Sequence, residues 1–152
     1  MSCGLSILGE NFDVDAFVSK VSTLSFTVAY KGDPINKVNQ KKRTHSIASI
    51  TTSEAGFDDV PRQINETIAF LTKHKEALKH IAGTTGIDYA TINFGVDSII
   101  DRKHISQSFY FTIDLIKICA ELGIEIELSI YKPDMEVILE NNRLKNLNDP
   151  SN

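Results

Sequence analysis

Residues 111–132 run Phe-Thr-Ile-Asp-Leu-Ile-Lys-Ile-Cys-Ala-Glu-Leu-Gly-Ile-Glu-Ile-Glu-Leu-Ser-Ile-Tyr-Lys. Residues 12–31 run Phe-Asp-Val-Asp-Ala-Phe-Val-Ser-Lys-Val-Ser-Thr-Leu-Ser-Phe-Thr-Val-Ala-Tyr-Lys. Each opens on Phe and a capping residue (Thr112, Asp13), then an aliphatic residue and Asp (Ile113-Asp114, Val14-Asp15). A side-chain oxygen at that position accepts a first-turn N–H and starts a helix. Apolar residues then recur at helical spacing: Val14, Phe17, Val18 and Val21 in one unit, Leu115, Ile116, Cys119, Ala120 and Leu122 in the other. Gly123 closes the later helix. Ile124, Ile126, Leu128 and Ile130 next alternate with Glu125, Glu127 and Ser129, a strand with one buried and one wet face. Two such units arise by duplication or by one packing problem solved twice. Either way, they organise the chain as one layered domain.

Working outward, Leu5 and Ile7 mark a first strand over Cys3–Leu8, and Gly9-Glu10-Asn11 is turn chemistry. A helix over 14–22 leads to a second strand, Phe26–Tyr30, stopped by Gly32-Asp33-Pro34. The basic stretch 35–44 reads as an exposed connection and His45–Thr52 as a third strand. The spacing of Ile64, Ile68, Leu71, Leu78 and Ile81 predicts one long helix over 61–82, with Gly83 as its left-handed cap. Tyr89–Phe94 is a fourth strand, Ile105–Phe111 a fifth, and 124–130 a sixth. The expected fold is α+β: a single mixed β-sheet of about six strands in the order β-α-β-β-α-β-β-α-β, with helices packed on one face. Residues 1–132 form the single domain. Residues 133–152 form a C-terminal extension, a short helix from Met135 and then a frayed tail.

The chain of 152 residues is long enough to bury a core without metal or disulfide staples. Its 41% hydrophobic and 24% charged composition argues against general disorder. Cys3 and Cys119 show no redox or metal spacing and read as reduced thiols, although sequence leaves a disulfide open. The N-terminus lacks a signal-peptide pattern, and no apolar run reaches the roughly 18 residues a membrane helix needs. A cytoplasmic protein with no membrane partner is expected. Net charge −4 and pI near 5.5 disfavour nucleic acid as a partner.

Chemistry is sparse in the sequence. His74 and His80 stand six residues apart, off the i, i+4 spacing of a helical metal pair, and read as solvated. His45 and His104 sit at strand starts as conceivable general bases, with no nucleophile placed beside them by a local motif. Gly83-Thr84-Thr85-Gly86 links a helix to a strand, the reverse of a phosphate loop. The basic residues Lys37, Lys41, Lys42 and Arg43 suit a phosphate or an acidic protein but lack the aromatic residues of a base-stacking surface. Acids pair at Asp58-Asp59, Asp97/Asp101 and Glu125/Glu127. No catalytic, cofactor-binding or metal-ligating residue is assigned, and no cofactor is expected. Glu54, Asp58, Asp59, Glu125 and Glu127 are the partner-contact candidates, an acidic surface able to steer a basic protein.

The stretch 111–131, Leu5-Ser6-Ile7-Leu8-Gly9-Glu10-Asn11-Phe12-Asp13-Val14-Asp15, Lys31-Gly32-Asp33 and the central helix together resemble a bacterial family known as a domain of unknown function, over about residues 3–131. The resemblance implies the fold. Families of this size and style often include immunity proteins of toxin systems, which makes a non-enzymatic binder of a cognate toxin the expected function. A small enzyme using His45 or His104 with a carboxylate is the second expectation. A homo-oligomer pairing through an edge strand is the third.

Overall fold

The computed structural model describes residues 2–35, 41–100 and 105–132. Five strands, β1 (Cys3–Gly9), β2 (Thr27–Ala29), β3 (Ser46–Ser53), β4 (Tyr89–Asp97) and β5 (Glu125–Tyr131), form one sheet in the order β2-β3-β1-β4-β5. β1 pairs antiparallel with β3 and β4, β2 antiparallel with β3, and β5 parallel with β4. The first four strands therefore have the split βαβ order of ferredoxin-like folds, extended by β5. That architecture hosts many unrelated functions and assigns none.

The helices are α1 (Val14–Lys20), α2 (Val60–Lys73), α3 (Lys75–Leu78), α4 (His80–Gly83) and α5 (Ile113–Leu122). Asp13 caps α1 by accepting the Ala16 N–H at 3.0 Å, and Thr112 caps α5 by accepting that of Leu115. Gly123 ends α5 at φ +67°, a left-handed position where Gly escapes the Cβ clash. All helices cover one side of the sheet: Val14, Phe17 and Val21 of the α1 region, Ile64 and Leu71 of α2, and Leu115 and Cys119 of α5 join Leu5, Ile7, Ile92 and Phe94 in one core. The expected α+β class with helices on one face holds.

Three expectations need correction. The sheet has five strands, because residues 105–111 are irregular. β5 is the strand that pairs with β4, and residues 105–111 join no ladder, leaving Ile105 and Tyr110 90% and 83% exposed. Gln107 fastens this segment instead, donating to Asp97 O at 2.8 Å and accepting from Ile99 N at 3.0 Å. The element order is accordingly β-α-β-β-α-β-α-β once α2, α3 and α4 are taken as one helical run.

The helix expected over 61–82 is interrupted at His74, whose backbone (φ −106°, ψ 16°) leaves the α region while its ring packs on Phe70 at 4.8 Å. The hydrogen bonds from His74 N to Phe70 O and from Leu78 N to His74 O run across the break, so the axis continues. Gly83 does not cap: the Thr84 hydroxyl closes the run by donating to His80 O, and the positive-φ glycine is Gly86. The C-terminal extension expected over 133–152, Lys37, Asp101 and His104 lie outside the described residues.

Candidate functional site

The side of the sheet away from the helices carries short side chains in register. Ser6 of β1 stands opposite Ser49 of β3 and Thr91 of β4, and Asn93 of β4 beside Glu127 of β5. Strand alternation places these on one face, since Leu5, Ile7, Ile92 and Phe94 of the opposite parity are fully buried under the helices. Ser6 Oγ donates to Ser49 Oγ at 3.5 Å and Asn93 Nδ2 to Ser129 Oγ at 2.8 Å, so the polar rows are tied across strands. The result is a low, polar floor. Tyr89, Glu125 and Glu127 flank a shallow groove along the β4–β5 margin of that floor.

Glu125 and Glu127 thus share one face of one strand, with α-carbons about 7 Å apart along it. Both are exposed. Glu54, Asp58 and Asp59 lie elsewhere, in the β3–α2 connection, which reaches the far end of β5 through the edge-to-face contact of Phe57 with Tyr131 (5.3 Å). Tyr131 stands four residues beyond Glu127, roughly 13 Å along the strand. Asp59 is engaged as the N-cap of α2, accepting Arg62 N–H at 3.1 Å, and the Asp58 carboxylate folds back over Gly56. Glu54 is exposed, with its backbone N–H held by Glu66 at 3.1 Å. The structure brings two of the five acids side by side and sets three at the end of the same margin.

From the sequence, Glu66 reads with Asp58 and Asp59 only as an acid at the start of the long helix, suited to its macrodipole. Its carboxylate accepts from Ser53 Oγ at 2.7 Å, from Glu54 N and from Arg62 Nε at 2.7 Å. The Ser53 hydroxyl, then Arg62, hold its pKa down to about 2. Its partners are all on this chain, so Glu66 clamps α2 to the end of β3. The i, i+4 spacing to Arg62 was the legible signal.

A second polar cluster stands at the opposite end of the sheet. His45 Nε2 lies 3.5 Å from Asp88 Oδ2, and His45 Nδ1 lies 2.8 Å from Thr44 Oγ1. Asp88 also accepts the Glu10 N–H at 2.8 Å, and Glu10 pairs with Lys31 at 2.9 Å. Lys42 and Arg43 border an open groove here, floored by Leu8, Ile47 and Tyr89. The histidine that sequence placed at a strand start therefore does meet a carboxylate and a hydroxyl. Asp88 was not foreseen as its partner, because 43 residues separate the two and only the β3-β1-β4 order joins them.

The two thiols are buried and free. Burial raises the Cys3 pKa against the opposing hydrogen bonds of Thr52 and Thr67, and burial with the nearby Cys3 pushes Cys119 to about 11. Both are thereby poor nucleophiles. Among the described residues no group of three His, Cys, Asp or Glu side chains is arranged to hold a metal ion.

The sequence matches the family described as a domain of unknown function, DUF4279, over residues 1–133. The chain belongs to that family. No curated protein and no solved structure matches it. The DUF4279 match takes in every described strand and helix, both polar clusters and both cysteines. It accords with the resemblance drawn from the 111–131 stretch, at the level of a family without assigned function. No helix among the described residues is long and apolar enough to cross a membrane.

Proposed function

We propose that this DUF4279 domain is a non-enzymatic protein-binding module, a bacterial immunity protein that neutralises a cognate toxin by covering its active surface. The observation that carries the reading is the sheet face away from the helices, which no described helix covers, with Glu125 and Glu127 side by side on its margin. The stretch of that face around Ser6, Ser49, Thr91 and Asn93 carries short hydroxyl and amide groups, with Leu8, Ile47 and Tyr89 at one end. The two exposed carboxylates attract a basic partner, raising its association rate more than its final affinity. Asp58, next to the Phe57 that touches Tyr131, extends the acidic border toward the far end of β5. Gentle isolation from the native host followed by mass spectrometry tests this: one dominant protein partner is expected. If material at micromolar concentration retains none, and no neighbouring gene product binds, the reading fails.

The Thr44–His45–Asp88 chain favours a second reading, a small enzyme. A histidine between a hydroxyl and a carboxylate has the order of a general-base relay. This reading predicts that a small-molecule substrate shifts the NMR signals of His45 and Tyr89, which the binder reading does not require.

A further inference from the structure

Among the described residues, β5 is an edge strand. Its Tyr131 carbonyl accepts from Ser98 N on the β4 side at 2.8 Å, and alternation then turns the N–H and C=O groups of Ile126, Leu128 and Ile130 outward. These three side chains also point to the helix side, in register with Ile92, Phe94 and Val96. Above them runs α5. Glu121 of α5 reaches Lys75 at 2.6 Å, which fixes the flank that faces α3. At 100° per residue, Ile116 lies about 140° around α5 from Glu121, with Ala120 and Ile113 between that flank and the solvent side. Ile113 and Ile116 are 59% and 45% exposed, and Ile130 is 55% exposed. An apolar helix flank thus lies beside a strand edge that pairs with no other strand among the described residues.

We propose that this edge pairs antiparallel with the β5 of a second copy, about a two-fold axis at Leu128, joining two five-stranded sheets into one. The charge pattern selects the occupant and the register. With Leu128 opposite itself, Ile126 faces the partner copy's Ile130, Glu127 faces Ser129 and Glu125 faces Tyr131, so every acid meets a neutral residue and all seven residues pair. Sliding the strands by one pleat repeat toward the N-terminus sets Glu127 against Glu127, and a further slide sets Glu125 against Glu127, both like-charge clashes. Sliding the other way shortens the ladder and places Lys132 against Ile126. The two-fold arrangement also brings the two α5 flanks together, burying Ile113 and Ile116 of both copies, and it is closed, so assembly stops at two. The pairing does not rest on the protein-binding reading. It uses the edge and the helix side and leaves the polar face of both copies open.

Sedimentation equilibrium of the full chain across concentration tests the proposal, with Ile116→Glu and Ile130→Lys as variants at exposed positions. A monomer–dimer equilibrium is expected, weakened at least about tenfold by either substitution with the far-UV spectrum unchanged. Amide exchange on the unaltered chain gives an independent readout: protection at Ile126, Leu128 and Ile130 is expected to rise with concentration. A monomer persisting to about 1 mM, a dimer indifferent to both substitutions, or species growing beyond two copies overturns the proposal. So does concentration-independent protection of those three amides, which would mean that another part of the same chain covers the edge.

Discussion

The side-chain amide of Gln63 on α2 donates to the carbonyl oxygen of Gly95 on β4 at 2.9 Å and, from the same nitrogen, to Gly56 O at 2.7 Å. Gln63 is fully buried, so both carbonyls depend on it in place of water. This single nitrogen ties the long helix, the acidic connection and the strand next to β5. Gln63→Ala is expected to cost about 1–3 kcal/mol by leaving buried acceptors unpaired. In urea unfolding the midpoint falls while the slope stays constant. Gln63→Glu is worse at neutral pH, where a carboxylate replaces the donor, and partly recovers as acid restores one proton. An unchanged midpoint in both variants would contradict the assignment.

Glu66 makes stability pH-dependent in the acid range. Its folded pKa of about 2 lies below the ordinary value of 4.5, so the folded state binds fewer protons than the unfolded one. The stabilisation is fully present above pH 4.5 and is lost as pH falls from there toward 2. Glu66→Gln is expected to flatten the fall in unfolding midpoint over that window. If its acid limb matches that of the unaltered protein, the Ser53–Glu66–Arg62 clamp does not act as described.

Gly9 and Gly86 meet backbone to backbone: a Cβ on Gly9 would overlap the Gly86 carbonyl, and one on Gly86 the Asn11 carbonyl. Gly86 also holds φ +85°. Gly86→Ala therefore combines overlap with a left-handed backbone, and a loss of at least about 1–3 kcal/mol is expected. Thermal unfolding measures it. Gly83→Ala, at a position with open space around it and an ordinary φ, is the control and leaves stability near its starting value.

Cys119 is buried and its pKa is pushed to about 11. Native protein at pH 8 is expected to react with a thiol reagent only at the rate at which it opens, whereas unfolded protein exposes two fast thiols. Immediate labelling of one or both cysteines in the native state contradicts this placement.

The echoed units at 12–31 and 111–132 show how far the chain could be read. Their caps Asp13 and Thr112 and the Gly123 stop are local chemistry and appear as expected, whereas the alternation of 124–130 holds in direction but leaves Ile130, expected on the buried face, 55% exposed. Pairing is not local. The strands that end the two units, β2 and β5, occupy opposite edges of the sheet, a placement no run of residues encodes. The same limit explains Ile105–Phe111: its apolar alternation resembles a strand, but it is β5 that pairs with β4, and this segment joins no ladder among the described residues. Glu125 and Glu127 were legible as the wet face of a strand. The meeting of His45 with Asp88 was not, because it depends on strand order.

Charge reversal on the open face tests the central claim most directly. The partner recovered from the native host is mixed at low salt with the unaltered chain and with a Glu125→Lys/Glu127→Lys variant shown to be folded. The account predicts association at least about tenfold slower for the variant, with the difference shrinking as salt is raised. Equal association rates at every salt concentration would contradict the assignment of this face as the binding surface.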